Sequence, residues 1–216
     1  MRENPGYALT DPEAVRELVR AHPWATMVSA TAAGTVASHY PFLVDEDADD
    51  LTLLSHVGRP DERGHELGAH ELLVIVAGPH GYVSPSWYRL PTGVPTWNFV
   101  TVHAYGVPEI LPDAENLAVL ERLVDRFEDA LPEPFRIRST LENAAYAERI
   151  VHGTVGFRVR VTRFVGKEKM SQDKPPEVLD RVLAALEAPG PYRNPALARR
   201  MRTVRDRADG GGTGSR

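Results

Sequence analysis

The stretch TVGFRVRVTRFVG, residues 154–166, decides the fold class. Val155, Phe157, Val159 and Val161 fall on one side of an extended chain, and Arg158, Arg160 and Thr162 fall on the other. That two-residue period marks a half-buried strand. Strand patterns recur upstream in WATMVSA (24–30), TVASHYPFLV (35–44), LTLLSHV (51–57) and the fully apolar LLVIVAG (72–78). The acidic, Gly- or Asp-bearing segments between them read as turns. A further strand pair is expected over 81–84 and 97–110, on either side of the Pro-rich loop PSWYRLPTGVP.

Helices punctuate this pattern rather than follow every strand. TDPE places Thr10 at an N-cap, Pro12 in the first turn and Glu13 at the capping-box position, which predicts a helix to about Ala21. A short helix is expected over 60–69. Leu117, Leu120, Leu123, Val124 and Phe127 give helical spacing to 113–130. Ser139 and Glu142 form a second capping box, opening a helix to about Val151, and another helix is expected from about Glu177 to Leu186. The architecture is therefore mainly β (α+β), an antiparallel barrel rather than a doubly wound sheet. No GxGxxG follows a strand and no GxxxxGK[ST] occurs.

Composition narrows the function classes. The 216 residues suit one domain, taken as 1–189, followed by a basic tail from 190 to 216 whose last residues, DGGGTGSR, are expected to be disordered. Net charge is −5, with +5 from Gly190 onward and −10 before it. An acidic body disfavours a large nonspecific nucleic-acid surface, and the tail reads as a solvated helix. Zero cysteines exclude disulfides, thiolate metal sites and a cysteine nucleophile. No run of about 18 apolar residues is present, and the N-terminal stretch has no apolar core of the secretory type, so a cytoplasmic protein without membrane spans is expected.

Several motifs give way to plainer readings. In HELGAH the spacing of His65 and His70 is about 140° around a helix, so the pair cannot share a zinc-binding face. His65, Glu66 and His70 then read as solvated helix residues. GYVSPSWY lacks the GxSxG of a nucleophile elbow. DEDADD (45–50) reads as a solvated turn.

Three polar clusters at strand ends remain. SHVGRPDE supplies His56 and Arg59, VPTWNFVTVHAYG supplies Trp97, Asn98 and His103, and GKEKMSQDKPP supplies Lys167, Lys169, Ser171, Gln172 and Lys174. A guanidinium fork, ammonium groups and hydroxyls are the donors a phosphate takes. The three are expected to converge on one pocket.

At these residues the chain resembles the PaiB-type flavin-binding split-barrel family. The resemblance runs from about Tyr7 to Leu186, through LVRAHPWATMVS, SHVGRPD, GPHGYVSPSWY, VPTWNFVTVHAYG and VGFRVRVTRFVGKEKMSQDKPPE in order. It implies a six-stranded antiparallel split β-barrel with peripheral helices, a homodimer, FMN near the dimer interface, and a negative transcriptional regulator linked to sporulation and protease genes. Carried over by position, His56, Arg59, Trp97, Asn98, Lys169, Ser171 and Gln172 become the cofactor-binding candidates. Asp61 and Glu62 stand where the family commonly has Asn and Pro, and Asp173 where Asn is frequent. Related split barrels bind haem instead. In haem-dependent piperazate synthase the haem-binding histidine matches His56, which implies haem b and N–N bond formation in an N-hydroxylated ornithine as the alternative. A flavin reductase acting on a small molecule and a cofactor-free binding module also stay open at this point, as does direct DNA contact.

Overall fold

The computed structural model describes residues 1 and 4–210, the side chains of 208–210 excepted. In chain order the elements are β1 (Ala8–Leu9), α1 (Pro12–Ala21), β2 (Trp24–Thr31), β3 (Gly34–Pro41), β4 (Leu43–Val44), β5 (Thr52–Gly58), α2 (Arg59–Gly64), β6 (Leu72–Val83), β7 (Thr96–Gly106), β8 (Pro108–Ile110), α3 (Asp113–Glu128), α4 (Leu141–Ile150), β9 (Thr154–Arg160), β10 (Arg163–Lys169), α5 (Pro176–Glu187) and α6 (Pro195–Gly210). One sheet has the order β1-β10-β7-β6-β2-β3 and the other β4-β5-β9-β8. The pairings β1–β10, β2–β3, β2–β6, β4–β5, β5–β9 and β8–β9 are antiparallel. The mainly β, antiparallel fold class expected from the sequence is the one observed.

The stretch 154–166 is two strands, not one. At Val161 and Thr162 the chain leaves β9, Val161 N–H donating to the Leu51 carbonyl and Thr162 N–H to that of Tyr105, both at 2.9 Å. The apolar alternation ends at Val161, because Arg163 takes the next place on that face, but neither Gly nor Pro marks the break. Elsewhere the expected segments shift. β6 is one strand of 12 residues, running through Gly78 rather than stopping there. The strand expected over 35–44 breaks at Phe42, the one over 97–110 breaks at Val107, and the short helix ends at Gly64. Both helix caps move one residue on. Asp11, not Thr10, accepts from Glu13 N–H at 3.0 Å, and Thr140, not Ser139, accepts from Asn143 N–H at 3.1 Å.

The chain divides into two compact units. The first comprises Met1–Thr10, Ala77–Val102 and the residues from Val165 onward; the second comprises Asp11–Val76 and His103–Phe164. In the second unit, α1 buries Ala14, Val15, Leu18 and Val19. Phe42 and Phe157 meet edge to face with centroids 5.8 Å apart. Val119 and Leu123 of α3 pack with Leu54 and Leu111, while Leu117 packs with Ala147 and Val151. A Cβ at Gly156 would stand 2.7 Å from Asn116 Oδ1, so α3 approaches β9 where only glycine fits.

In the first unit, α5 buries Val178, Leu179, Val182, Leu183 and Leu186. The tail expected as a solvated helix is α6, and one face of it is packed: Leu197, Ala198 and Met201 are buried. Several of its arginines are paired with carboxylates. Arg200 pairs with Glu168, Arg202 with both oxygens of Glu187, and Arg205 with Asp180 at 2.9 Å. Of the end expected to be disordered, 209 and 210 close α6, and 211–216 lie outside the described residues. Among the described residues no helix is long and apolar enough to cross a membrane.

Candidate functional site

In the first unit, β10 delivers Lys169 to a turn in which Ser171 adopts a φ of 60°. A side chain in that left-handed region is strained, and it persists only where its surroundings hold it. Asn98, fully buried on β7, does so: its Nδ2 donates to Ser171 Oγ at 2.9 Å, and Ser171 Oγ lies 3.1 Å from Asn98 Oδ1. Gln172 closes the same turn, accepting from Met170 N–H at 2.6 Å and donating to the Glu168 carbonyl at 2.7 Å.

The turn forms one wall of a cavity of about 480 Å³. Lys169, Ser171, Asp173 and Lys174 line it from the turn, with Tyr7, Tyr88 and Thr96 contributed by other segments. Lys169 Nζ donates to Thr96 Oγ1. Lys174 Nζ sits 2.9 Å from Asp173 Oδ2. Burial, with Asp173 as a further cause, raises the Tyr7 phenol, and burial raises Tyr88, so both are protonated donors at neutral pH. Burial pushes the Asp173 carboxyl up, but Lys174 and Tyr7 outweigh it and hold the group below its ordinary value. Trp97, next to Asn98 on the strand, faces the other way: it is 55% exposed, its ring 6.2 Å from that of His80.

In the second unit, His56 follows the buried run of β5. Its Nδ1 is buried without a hydrogen-bond partner among the described residues, the Tyr40 ring stands edge-on at 6.1 Å, and burial lowers its pKa, keeping the imidazole neutral. Tyr40 donates to Asp61 Oδ2 at 2.5 Å. Arg59 Nε donates to the His152 carbonyl. His65 corrects the sequence expectation. It is buried, not solvated, with Nδ1 2.9 Å from Ser29 Oγ and Nε2 3.0 Å from Ser38 Oγ, while Glu66 and His70 do pair at the surface. Among the described residues no cluster of three or more His, Asp or Glu side chains is arranged to hold a metal ion.

The seven candidates thus divide by environment. Lys169 and Ser171 line the cavity, Asn98 braces it from behind, Gln172 turns its amide back on the chain, and Trp97 lies on an exposed strand face. His56 and Arg59 belong to the second unit. Sequence reasoning missed Tyr7, Tyr88 and Thr96. The only trace of them was their place beside Pro-rich segments, ENPGY and the loop 85–95.

Residues 1–163 match the family model described as "Putative FMN-binding domain". Among known proteins, the chain is similar to the Bacillus subtilis "Protease synthase and sporulation protein PAI 2", 28% identical over 170 residues, 78% of this chain and 80% of that one. It is 33% identical over 117 residues to the Saccharomyces cerevisiae protein YKL070W, 50% of this chain and 69% of that one. Among solved structures, the FAD and haem binding protein from Mycobacterium smegmatis aligns with a TM-score of 0.56 at 18% identity, covering 81% of this chain and 79% of that chain. The flavocytochrome Anf3 from Azotobacter vinelandii aligns with a TM-score of 0.56 at 16% identity, covering 78% and 72%. These likenesses bear out the split-barrel fold class.

Proposed function

This chain belongs to the FMN-binding domain family whose model it matches over 1–163, and on that premise we propose that it is an FMN-dependent reductase of a small molecule, a cytoplasmic homodimer whose first unit holds the cofactor's phosphate in the cavity walled by the 169–174 turn. The cavity carries the reading. At about 480 Å³ it falls in the range of cofactor pockets. The ammonium groups of Lys169 and Lys174 and the hydroxyls of Ser171 and Thr96 are the donor set a phosphate takes. Asp173, the one carboxylate lining it among the described residues, is engaged by Lys174 and Tyr7, so it does not oppose an incoming anion alone. These residues fit the group. FMN bound there supplies a two-electron carrier. The chain's own part is to neutralise the phosphate with Lys169, orient it with Ser171, and keep Ser171 in place through Asn98.

Arg200 of α6 favours a reductase over a direct reader of DNA, because a phosphate of DNA would have to displace Glu168 from a pair that is 15% and 10% exposed. A regulatory role of the kind the resemblance implies would then act through the bound ligand. The outward face of β2, β3 and the start of β6 in the second unit supports the homodimer. Thr35, Ala37 and His39 on β3 align with Thr26, Val28 and Ala30 on β2, followed by Leu73 and Ile75. All are exposed or half-buried and none carries Asp, Glu, Lys or Arg, and Trp24 beside them is 64% exposed. An uncharged sheet face of this extent is the mark of a protein interface.

His56 favours one second reading, a haem enzyme of the piperazate synthase type. A neutral, half-buried imidazole whose ring nitrogen has no partner among the described residues is one that would hold haem iron. The absorbance spectrum of the purified protein separates the readings. Flavin bands at about 450 nm support the reductase, and a Soret band at about 400 nm that His56→Ala abolishes supports the haem enzyme. A spectrum with neither, unchanged after incubation with FMN or haemin, counts against both.

A further inference from the structure

The turn that walls the larger cavity also walls a smaller one in the first unit, of about 200 Å³. Lys169, Ser171 and Asp173 line the larger, Met170, Gln172 and Pro176 line the smaller, and Lys174 lines both. The segment is therefore a partition. The smaller cavity is apolar within, where Met170, Leu179 and Met201 are buried and Val204 is half-buried. Its polar rim carries two cations, Lys174 and Arg205. The carboxylates facing those cations are Asp173 on Lys174, and Asp180 at 2.9 Å and Asp206 at 3.5 Å on Arg205. Asp180 and Asp206 are largely exposed, so their pairs with Arg205 contribute little and yield to a competing anion.

We propose that this smaller cavity binds a short-chain aliphatic carboxylate, its headgroup between Lys174 and Arg205 and its chain against Met170, Leu179 and Met201. Size and chemistry agree. An apolar cavity of about 150 Å³ takes a molecule the size of benzene, so 200 Å³ suits an acyl chain of about six carbons. Two methionine side chains adapt readily to a flexible aliphatic guest. Because Lys174 belongs to both walls, filling the smaller cavity alters the charge presented to the larger. That consequence, and it alone, rests on the flavin reading above.

The test uses hexanoate as probe and the methionine methyl groups as reporters. Hexanoate shifts the Met170 and Met201 methyl resonances saturably, leaves buried Met27 of the second unit unmoved, and binds about 10-fold more tightly than hexan-1-ol. Arg205→Gln weakens it by about 10-fold, and Val204→Trp, which fills the cavity, abolishes the shifts while Met27 keeps its native position. Unmoved Met170 and Met201 signals, or shifts that persist unchanged in Val204→Trp, overturn the site. FMN affinity measured with and without saturating hexanoate then tests the coupling: a change of about fivefold or more, of the size of allosteric couplings, supports it, and a smaller change or equal affinities overturn it. Failure to bind FMN at all counts against the flavin reading and not against the carboxylate site, whose methyl shifts need no cofactor.

Discussion

Ser171 concentrates the account at the scale of single residues. It occupies a left-handed conformation because Asn98 holds its hydroxyl from behind, yet Asn98 itself does not line the cavity. Replacing Asn98 with Ala removes the hydroxyl's partner inside the protein, which costs about 1–3 kcal/mol. Urea unfolding is expected to show that loss, together with a weakened grip on FMN. From the sequence, Lys169 and Ser171 were legible as polar side chains placed together at one strand end, and both line the cavity. The roles of Asn98 and Gln172 were not. An amide reads as a free donor until the fold shows that it is already used, here on Ser171 and on the Glu168 carbonyl. His65 was hidden for a related reason: it meets Ser29 and Ser38, 36 and 27 residues away along the chain. Burial holds both His56 and His65 below the ordinary value of 6.5. As pH falls, the unfolded chain takes up these protons first, so the stability they contribute is whole above pH 6.5 and is lost below it. Thermal unfolding is expected at a lower temperature at pH 5.5 than at pH 7.5, and His65→Gln is expected to shrink that difference.

Elements show where local pattern gives out. The alternation over 154–166 correctly announced β structure, and the caps at Asp11 and Thr140 fell within one residue of their expected places. The alternation stops at Val161 without showing how the chain passes to the next strand, since that is set by hydrogen bonds to Leu51 and Tyr105, far off in sequence. The same holds for α6. Its charge pattern reads as solvated, but Arg200 lies with Glu168 in a pair that is 15% and 10% exposed, and Arg200 Nη2 has no hydrogen-bond partner among the described residues. Breaking a mostly buried pair leaves an uncompensated charge. Glu168→Ala and Arg200→Ala are each expected to lose about 3 kcal/mol, with the double variant losing clearly less than the sum. Additive losses in chemical unfolding would mean that the two side chains do not act as a pair.

For the whole molecule, the fold class and the family were legible because ordered motifs span most of the chain. Which unit each candidate residue belongs to was not, since that depends on sheet order. Assembly is tested on the uncharged face of the second unit. Val28→Lys in the middle of that face is expected to shift the protein from dimer to monomer in sedimentation velocity while its circular dichroism stays native, because a desolvated charge costs several kcal/mol. The cofactor claim is tested most directly by comparing FMN with riboflavin, which lacks the phosphate. The cavity formed by Lys169, Ser171 and Thr96 predicts that the wild-type protein binds FMN about 100-fold more tightly than riboflavin, and that Lys169→Ala combined with Ser171→Ala brings the two affinities together. Equal affinities in the wild type, or a preference that survives the double substitution, would contradict it.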